Sequence, residues 1–303
     1  MEKYFIREQI IKSIRKFFYA QNFHEIIPPL LNAALPLEQN LHPFSTVHSG
    51  TNETFYLSMS PERGIKKMLA EGMGNCFAIS KAFRNYERTG SLHNHEFIML
   101  EWYRKDSTYL QIMDELELLL ININTEIKKS EIRISNNSFP RFSLNTLFKE
   151  ICGVSLEELL TDEKKIYKIA ETKGYKTDKA AWEELYDQLF VNEIETSFSK
   201  EPFFLIDFPV RTSPLCKPQK NKPFLAERFE LYMNGIEIAN GNTENTDTTK
   251  IRELFEAEHI KMGLPIDNEF LAALSKMKNS SYAGVGVGID RLTMLYTDAD
   301  IFV

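Results

Sequence analysis

From Ile6 to Phe18 the apolar residues Ile6, Ile10, Ile11, Ile14, Phe17 and Phe18 fall at helical spacing with Arg and Lys between them, which predicts an amphipathic helix. NFHEIIPPLL then reads as a short strand, and Pro28 and Pro29 confine it to a sheet edge or an exit. Leu41 to Phe44 reads as a loop and Glu53 to Met59 as a strand. Ser60, Pro61 and Glu62 open a helix that runs to about Glu71 and stops at Gly72 and Gly74. Cys76 to Arg84 is the first strand of a hairpin whose second strand ends near Arg104. Leu110, Met113, Leu116, Leu119, Leu120 and Ile123 give one apolar face to a helix from Tyr109 to Ile127. The charged stretch from Lys128 to Lys200 is mostly helical and reads as an insertion packed on the main sheet. Phe203 to Phe208 is an apolar strand, followed by a solvated loop with three lysines, SPLCKPQKNKP. A helix from about Thr248 to Met262 ends at Gly263, and YAGVGVGIDRLTMLYT runs from a strand into a helix at Asp290.

Three stretches carry chemistry. In FRNYERTGSLHNHEFIMLEWYR, period-two alternation puts Phe97, Met99, Glu101 and Tyr103 on one strand face. A ring, a carboxylate and a phenol facing one way suit a pocket. With Arg84 before the loop and His93, Asn94 and His95 leaving it, they suit a nucleotide. On residues alone, a hairpin with one solvated face fits as well.

In ERFELYMNGIEIANGNTE, Asn234-Gly235 is a two-residue turn. Counting outward pairs Met233 with Ile236, Tyr232 with Glu237, Leu231 with Ile238 and Glu230 with Ala239, so Glu230 and Glu237 share a face as diagonal neighbours. Two converging carboxylates fit one hard divalent cation such as magnesium, or plain solvent exposure. Asn240 and Glu244 follow in a polar loop with Gly241. In GVGVGIDR, Gly284, Gly286 and Gly288 clear one strand face for a close approach, and Arg291 stands at a helix start that favours anions. A dinucleotide-binding unit is not expected, because the motif leaves no room for the βαβ unit that would follow it.

Composition narrows the class. The 303 residues allow one large domain or two modest ones, and a net charge of −7 argues against a broad nucleic-acid-coating surface. Cys76, Cys152 and Cys216 form no CxxC pair, which points to a reducing compartment and no zinc site. With no signal-peptide pattern and no apolar run long enough to span a bilayer, a cytoplasmic protein is expected.

Together these stretches resemble the signature motifs of class II aminoacyl-tRNA synthetases. IRKFFYAQNFHEIIPPLL is similar to motif 1, FRNYE…HNHEFIMLEWY to motif 2 and GVGVGIDRLTML to motif 3. ERFELYMNGIEIANG resembles the lysine branch: the lysyl-tRNA synthetase catalytic domains and the stand-alone ligases that attach lysine or β-lysine to elongation factor P. The resemblance implies an α+β catalytic domain over residues 1–303, a mostly antiparallel sheet flanked by helices. It implies a mostly helical insertion at about 105–200, no N-terminal anticodon-binding barrel, and a homodimer. It implies ATP and magnesium. Arg84 would hold the α-phosphate and the substrate carboxylate, His93 and Asn94 would contact ATP, Phe97 would stack on adenine, and Arg291 would contact the γ-phosphate. Glu230 and Glu237 would bind magnesium. Glu62 would face the α-amine of lysine, and Glu101, Tyr103, Asn240 and Glu244 would line its side-chain pocket, with Gly286 beside the substrate.

The pattern departs from the family at Tyr86, which replaces an acid found one residue later as Glu87, and at Asn242, which replaces an aromatic. Gly286 and DFPVRTSPLCK are synthetase-like. The expectation is therefore activation of lysine or β-lysine as an adenylate and its transfer to a lysine of elongation factor P. The alternatives are a minimal lysyl-tRNA synthetase and a non-catalytic dimer.

Overall fold

The computed structural model describes residues 1–38, 41–86, 90, 92–127 and 138–297; Glu87 and the start of the predicted insertion, residues 128–137, lie outside the described residues. Helix α1 (Glu2–Ala20) is longer at both ends than its apolar pattern, and the i, i+4 series Ile6, Ile10, Ile14 and Phe18 is buried. That stripe packs with α3 (Tyr109–Ile127) in the core on one face of an eight-stranded sheet. Each such side chain contributes about 1.5–3 kcal/mol by leaving water.

The sheet runs β1 (His24–Glu25), β5 (Cys76–Phe83), β6 (Glu96–Lys105), β11 (Tyr282–Gly288), β10 (Ile236–Thr243), β9 (Arg228–Met233), β8 (Phe203–Ile206) and β7 (Arg141–Ser143). Only the outermost pairs, β1 with β5 and β7 with β8, are parallel. The double proline does leave β1 at an edge. β6 alternates as its sequence predicts: Leu100 and Trp102 enter the α1–α3 core, and Phe97, Met99, Glu101 and Tyr103 take the other face. β2 (Leu31–Asn32), β3 (Ser45–Val47) and β4 (Thr54–Leu57) form a separate small sheet, which takes the strand expected at Glu53–Met59 out of the main one.

Two expectations are corrected at the β9–β10 hairpin. Tyr232 pairs with Glu237, but a β-bulge at Ile238 then pairs Leu231 with Ala239 and Glu230 with Asn240. An extra residue on one strand shifts every later partner by one. Asn240 and Gly241 are strand residues, not loop residues. The lysine loop is also pinned rather than free: Lys217 N donates to Thr243 O at 2.8 Å and Glu227 N donates to Lys217 O at 2.8 Å.

Helices α4 (Leu144–Cys152), α5 (Leu156–Thr161), α6 (Lys164–Thr172) and α7 (Trp182–Leu189) form a second core that includes Leu205 of β8 and Tyr232 of β9. A third core joins α2 (Glu62–Ala70), α8 (Thr248–Met262) and α9 (Asn268–Met277) to the sheet face that carries Tyr103. The pattern reading missed α9, which Asp267 caps by accepting from Phe270 N at 3.0 Å. Helix α10 (Ile289–Leu295) follows β11 directly. Among the described residues, no helix is long and apolar enough to cross a membrane.

Candidate active site

The sheet face away from α1 and α3 opens into a cavity of about 400 Å³. β6 supplies its floor, because the period-two face that excludes Leu100 and Trp102 must present Phe97, Met99 and Glu101. β11 supplies the neighbouring strip, where Gly286 leaves room: a Cβ there would meet Met99 Sδ at 3.5 Å. The bulge in β10 rotates Asn240 onto this face beside Glu237, and both line the cavity.

Arg84 follows β5, its backbone N donating to His95 O at 3.0 Å. Its guanidinium lies 5.3 Å from the centre of the Phe97 ring. Arg84 Nε is buried without a hydrogen-bond partner, and the side chain lines the cavity. A buried donor left unmade is costly, so this group is set for an acceptor that the fold does not provide. Arg291 of α10 reaches the same cavity but is engaged: Nη1 donates to Glu237 O at 2.9 Å and lies 3.4 Å from Glu237 Oε2, Nε donates to Leu92 O at 3.2 Å, and Nη2 meets His93 Nε2 at 2.8 Å. Asn94 lines the cavity wall and accepts from His95 N through Oδ1 at 2.8 Å.

A smaller cavity of about 180 Å³ adjoins the first, and Glu38, Glu62 and Asn240 line both. Glu244 and Asn242 belong to this second chamber. Lys66, four residues after Glu62 on α2, bridges the two chambers' acids: Nζ donates to Glu244 Oε2 at 2.5 Å and also to Glu62. Burial pulls the Lys66 ammonium down, but Glu244 and Glu62 more than reverse this and hold its pKa above the ordinary value. Asn242 Nδ2 donates to the other Glu244 oxygen at 3.1 Å. Burial pushes Glu244 up to about 7, against the pull of Lys66. Glu101 rises to about 8, chiefly through burial and then through Glu62, although Tyr103 donates to it at 2.7 Å.

Two predicted site residues stand behind the cavity walls. Tyr103 lines neither chamber; its hydroxyl holds Glu101. Glu230 also lines neither: its Oε1 accepts from Arg228 Nη2 at 2.6 Å and its Oε2 from Tyr232 at 2.9 Å. Burial pushes Glu230 up to about 7, opposed by Arg228. Among the described residues no group of three or more His, Cys, Asp or Glu side chains could hold a metal ion. Tyr86 is 78% exposed, lies at φ 62°, and rests edge-on against His42, away from the cavity.

Sequence reasoning missed Glu38, Lys66, Arg228 and Asp290. Lys66 was legible as the i, i+4 partner of Glu62, and Arg228 as the same-face neighbour of Glu230. Asp290 accepts from Ile98 N at 2.8 Å and from Arg7 Nη1 at 3.1 Å, so it joins α10, β6 and α1 at the cavity rim. Glu38 lies between short strands in a segment without periodicity, and no local signal marks it.

Residues 1–301 match the family model for class II tRNA synthetases (D, K and N). The chain belongs to the class II tRNA synthetases. It is accordingly an ATP-dependent ligase. It is 35% identical over 293 residues to an elongation factor P–(R)-β-lysine ligase homolog of Aquifex aeolicus, covering 95% of this chain and 93% of that one. It is 34% identical over 309 residues to the elongation factor P–(R)-β-lysine ligase of Pectobacterium carotovorum, covering 97% and 90%. It is also 34% identical over 314 residues to the lysine–tRNA ligase of Saccharolobus solfataricus; there it covers 97% of itself but only 61% of the relative's length.

Proposed function

We propose that the protein activates lysine or β-lysine with ATP and transfers the aminoacyl group to a lysine of elongation factor P. The observation that carries this reading is the buried, unpartnered Arg84 donor beside the Phe97 ring, in one cavity with the carboxylates of Glu62 and Glu101. That set complements an anion, a flat ring and an ammonium in one ligand. The likeness to relatives named as elongation factor P–(R)-β-lysine ligases, along nearly their whole length, supports the acceptor.

In this reading, Arg84 orients the substrate carboxylate against the α-phosphate. A carboxylate oxygen attacks the phosphorus and pyrophosphate leaves with the bonding electrons. The acceptor amine then attacks the acyl carbon, AMP leaves, and the amine gives up a proton. Phe97 stacks on the base, with His93 and Asn94 beside ATP, and Arg291 meets the terminal phosphate. Catalysis is positioning and charge neutralisation, with no covalent enzyme intermediate. Glu237, whose carboxylate lies on the cavity wall, fits a hard cation shared with phosphates; Glu230 joins it only by releasing an oxygen from Arg228 or Tyr232. A magnesium ion held by Glu237 would supply positive charge to offset that of the phosphates. Glu62 meets the α-amine, while Glu101, held by Tyr103, and Asn240 and Glu244 face the side chain. The same reading takes the chain as one catalytic domain with a helical insertion, acting as a homodimer.

Identity to a lysine–tRNA ligase supports a second reading, in which tRNA is the acceptor. The test supplies radiolabelled lysine, ATP and magnesium to purified elongation factor P and to bulk tRNA in parallel, and repeats both with β-lysine. Label on the protein alone is expected. Label on tRNA alone overturns the acceptor, and no label on either with both amino acids overturns the reading.

A further inference from the structure

We propose that Glu38 is a specificity-determining residue of this site: together with Glu62 it receives the amine that lies next to the substrate's carboxylate. The proposal rests on the reading that an amino acid binds between Arg84 and Glu62.

Glu38 is placed firmly. The preceding Leu37 is 2% exposed and packs in the core that holds Ile65 and Leu69 of α2. The chain is thereby clamped against the helix that carries Glu62. Glu38 then lines both chambers, as among the described residues only Glu62 and Asn240 also do. Its strongest charged neighbour is Glu62, followed by Arg84, with Lys66 and Arg228 weaker. The carboxylate therefore stands at the Arg84 end of the site, where a substrate carboxylate and its adjoining amine belong.

Glu38 also differs from the other acids in having acceptors to spare. Glu62 and Glu244 are held by Lys66, Glu101 by Tyr103, and Glu230 by Arg228 and Tyr232. Glu38 makes no side-chain hydrogen bond or ion pair with any described residue. Burial and the charge of Glu62 push it up to about 7, so its charged form is unsatisfied until a cation arrives. An ammonium carries three donors, and two flanking carboxylates fix where it sits. An amine one methylene further from the carboxylate stays within the same pair's reach.

The test uses the full chain with Glu38→Gln, Glu38→Ala and Glu38→Asp. The readouts are lysine-dependent pyrophosphate exchange and its inhibition by two part-ligands. 2-Aminohexanoate keeps the amine beside the carboxylate; 6-aminohexanoate keeps only the distal one. In Glu38→Gln and Glu38→Ala, the KM for lysine and the KI for 2-aminohexanoate are expected to rise together by at least about tenfold, the loss of one charge-assisted hydrogen bond. The KI for 6-aminohexanoate and the KM for ATP are expected to stay within about twofold, and Glu38→Asp to recover part of the loss. An unchanged lysine KM overturns the proposal. So does an equal loss for 6-aminohexanoate, which would mean that the cavity as a whole had changed. Absence of lysine-dependent exchange in the unmutated protein overturns the reading beneath, and this proposal with it.

Discussion

At Arg84, stability and chemistry separate. Its side chain forms no ion pair in the described structure and leaves Nε unsatisfied. Arg84→Ala is therefore expected to keep or slightly raise the melting temperature while lowering pyrophosphate exchange by at least about 10²–10³-fold. A melting temperature several degrees lower in a thermal scan would show that Arg84 supports the fold instead. Lys66 is the opposite case. It is 2% exposed between two carboxylates, so Lys66→Met leaves both uncompensated and is expected to cost about 3–5 kcal/mol in denaturant unfolding. A loss below about 1 kcal/mol would contradict the ion-pair geometry. The acids around it also predict a pH dependence. Glu38 and Glu244 titrate near 7 and Glu101 near 8, well above an ordinary glutamate, because burial disfavours their charge. Below these values the groups hold protons that a diammonium ligand must displace. Lysine affinity is then expected to rise from pH 6 to pH 8.5, by up to about tenfold per pH unit for each proton released. Calorimetry in buffers of different ionisation enthalpy would detect the released protons, and a flat profile would contradict the shifts.

The glycines of β11 do different work along one strand. A Cβ at Gly284 would collide with the Tyr103 ring and lie 2.6 Å from Trp102 O, whereas one at Gly286 meets nothing closer than Met99 Sδ at 3.5 Å. Gly284→Ala is expected to destabilise the sheet by about 1–3 kcal/mol or more, and Gly286→Ala to leave the melting temperature unchanged while altering amino-acid KM. Equal thermal losses would remove the distinction. Much at this scale was legible in the sequence. Period-two alternation gave the faces of β6, and an Asn-Gly pair gave the turn before Glu237, because both are local rules. The bulge at Ile238 left only a faint mark, the consecutive apolar pair Ile238-Ala239 that interrupts the alternation, and a count outward from the turn passes over it. Leu37 and Glu38 left none, since they owe their places to a helix that follows by more than twenty residues.

Across the whole molecule, three cores meet one sheet, and the candidate site lies where α2, β6, β10, β11 and α10 converge. A ligand there touches elements from both halves of the chain and favours the folded state by mass action. Lysine with ATP and magnesium at about 100 times Kd is expected to add about 2.7 kcal/mol. For a chain of this size that is a rise of roughly 5–11 °C in melting temperature, at about 2–4 °C per kcal/mol. Norvaline with ATP and magnesium serves as the control. An equal shift there would mean that the distal ammonium is not read.

The bulge at Ile238 gives β10 something like a reading frame. Before it, Glu237 takes the cavity face; after it, Asn240, Asn242 and Glu244 take that same face while Thr243 is fully buried. Deleting Ile238 itself would only straighten the strand, whereas deleting Gly241 with the bulge kept would leave every downstream letter intact yet exchange inside for outside, as a frameshift keeps nucleotides but changes their meaning. Length in this strand is therefore constrained more tightly than identity. A variant search over the hairpin should find many tolerated substitutions, and single-residue gaps tolerated only at the bulge.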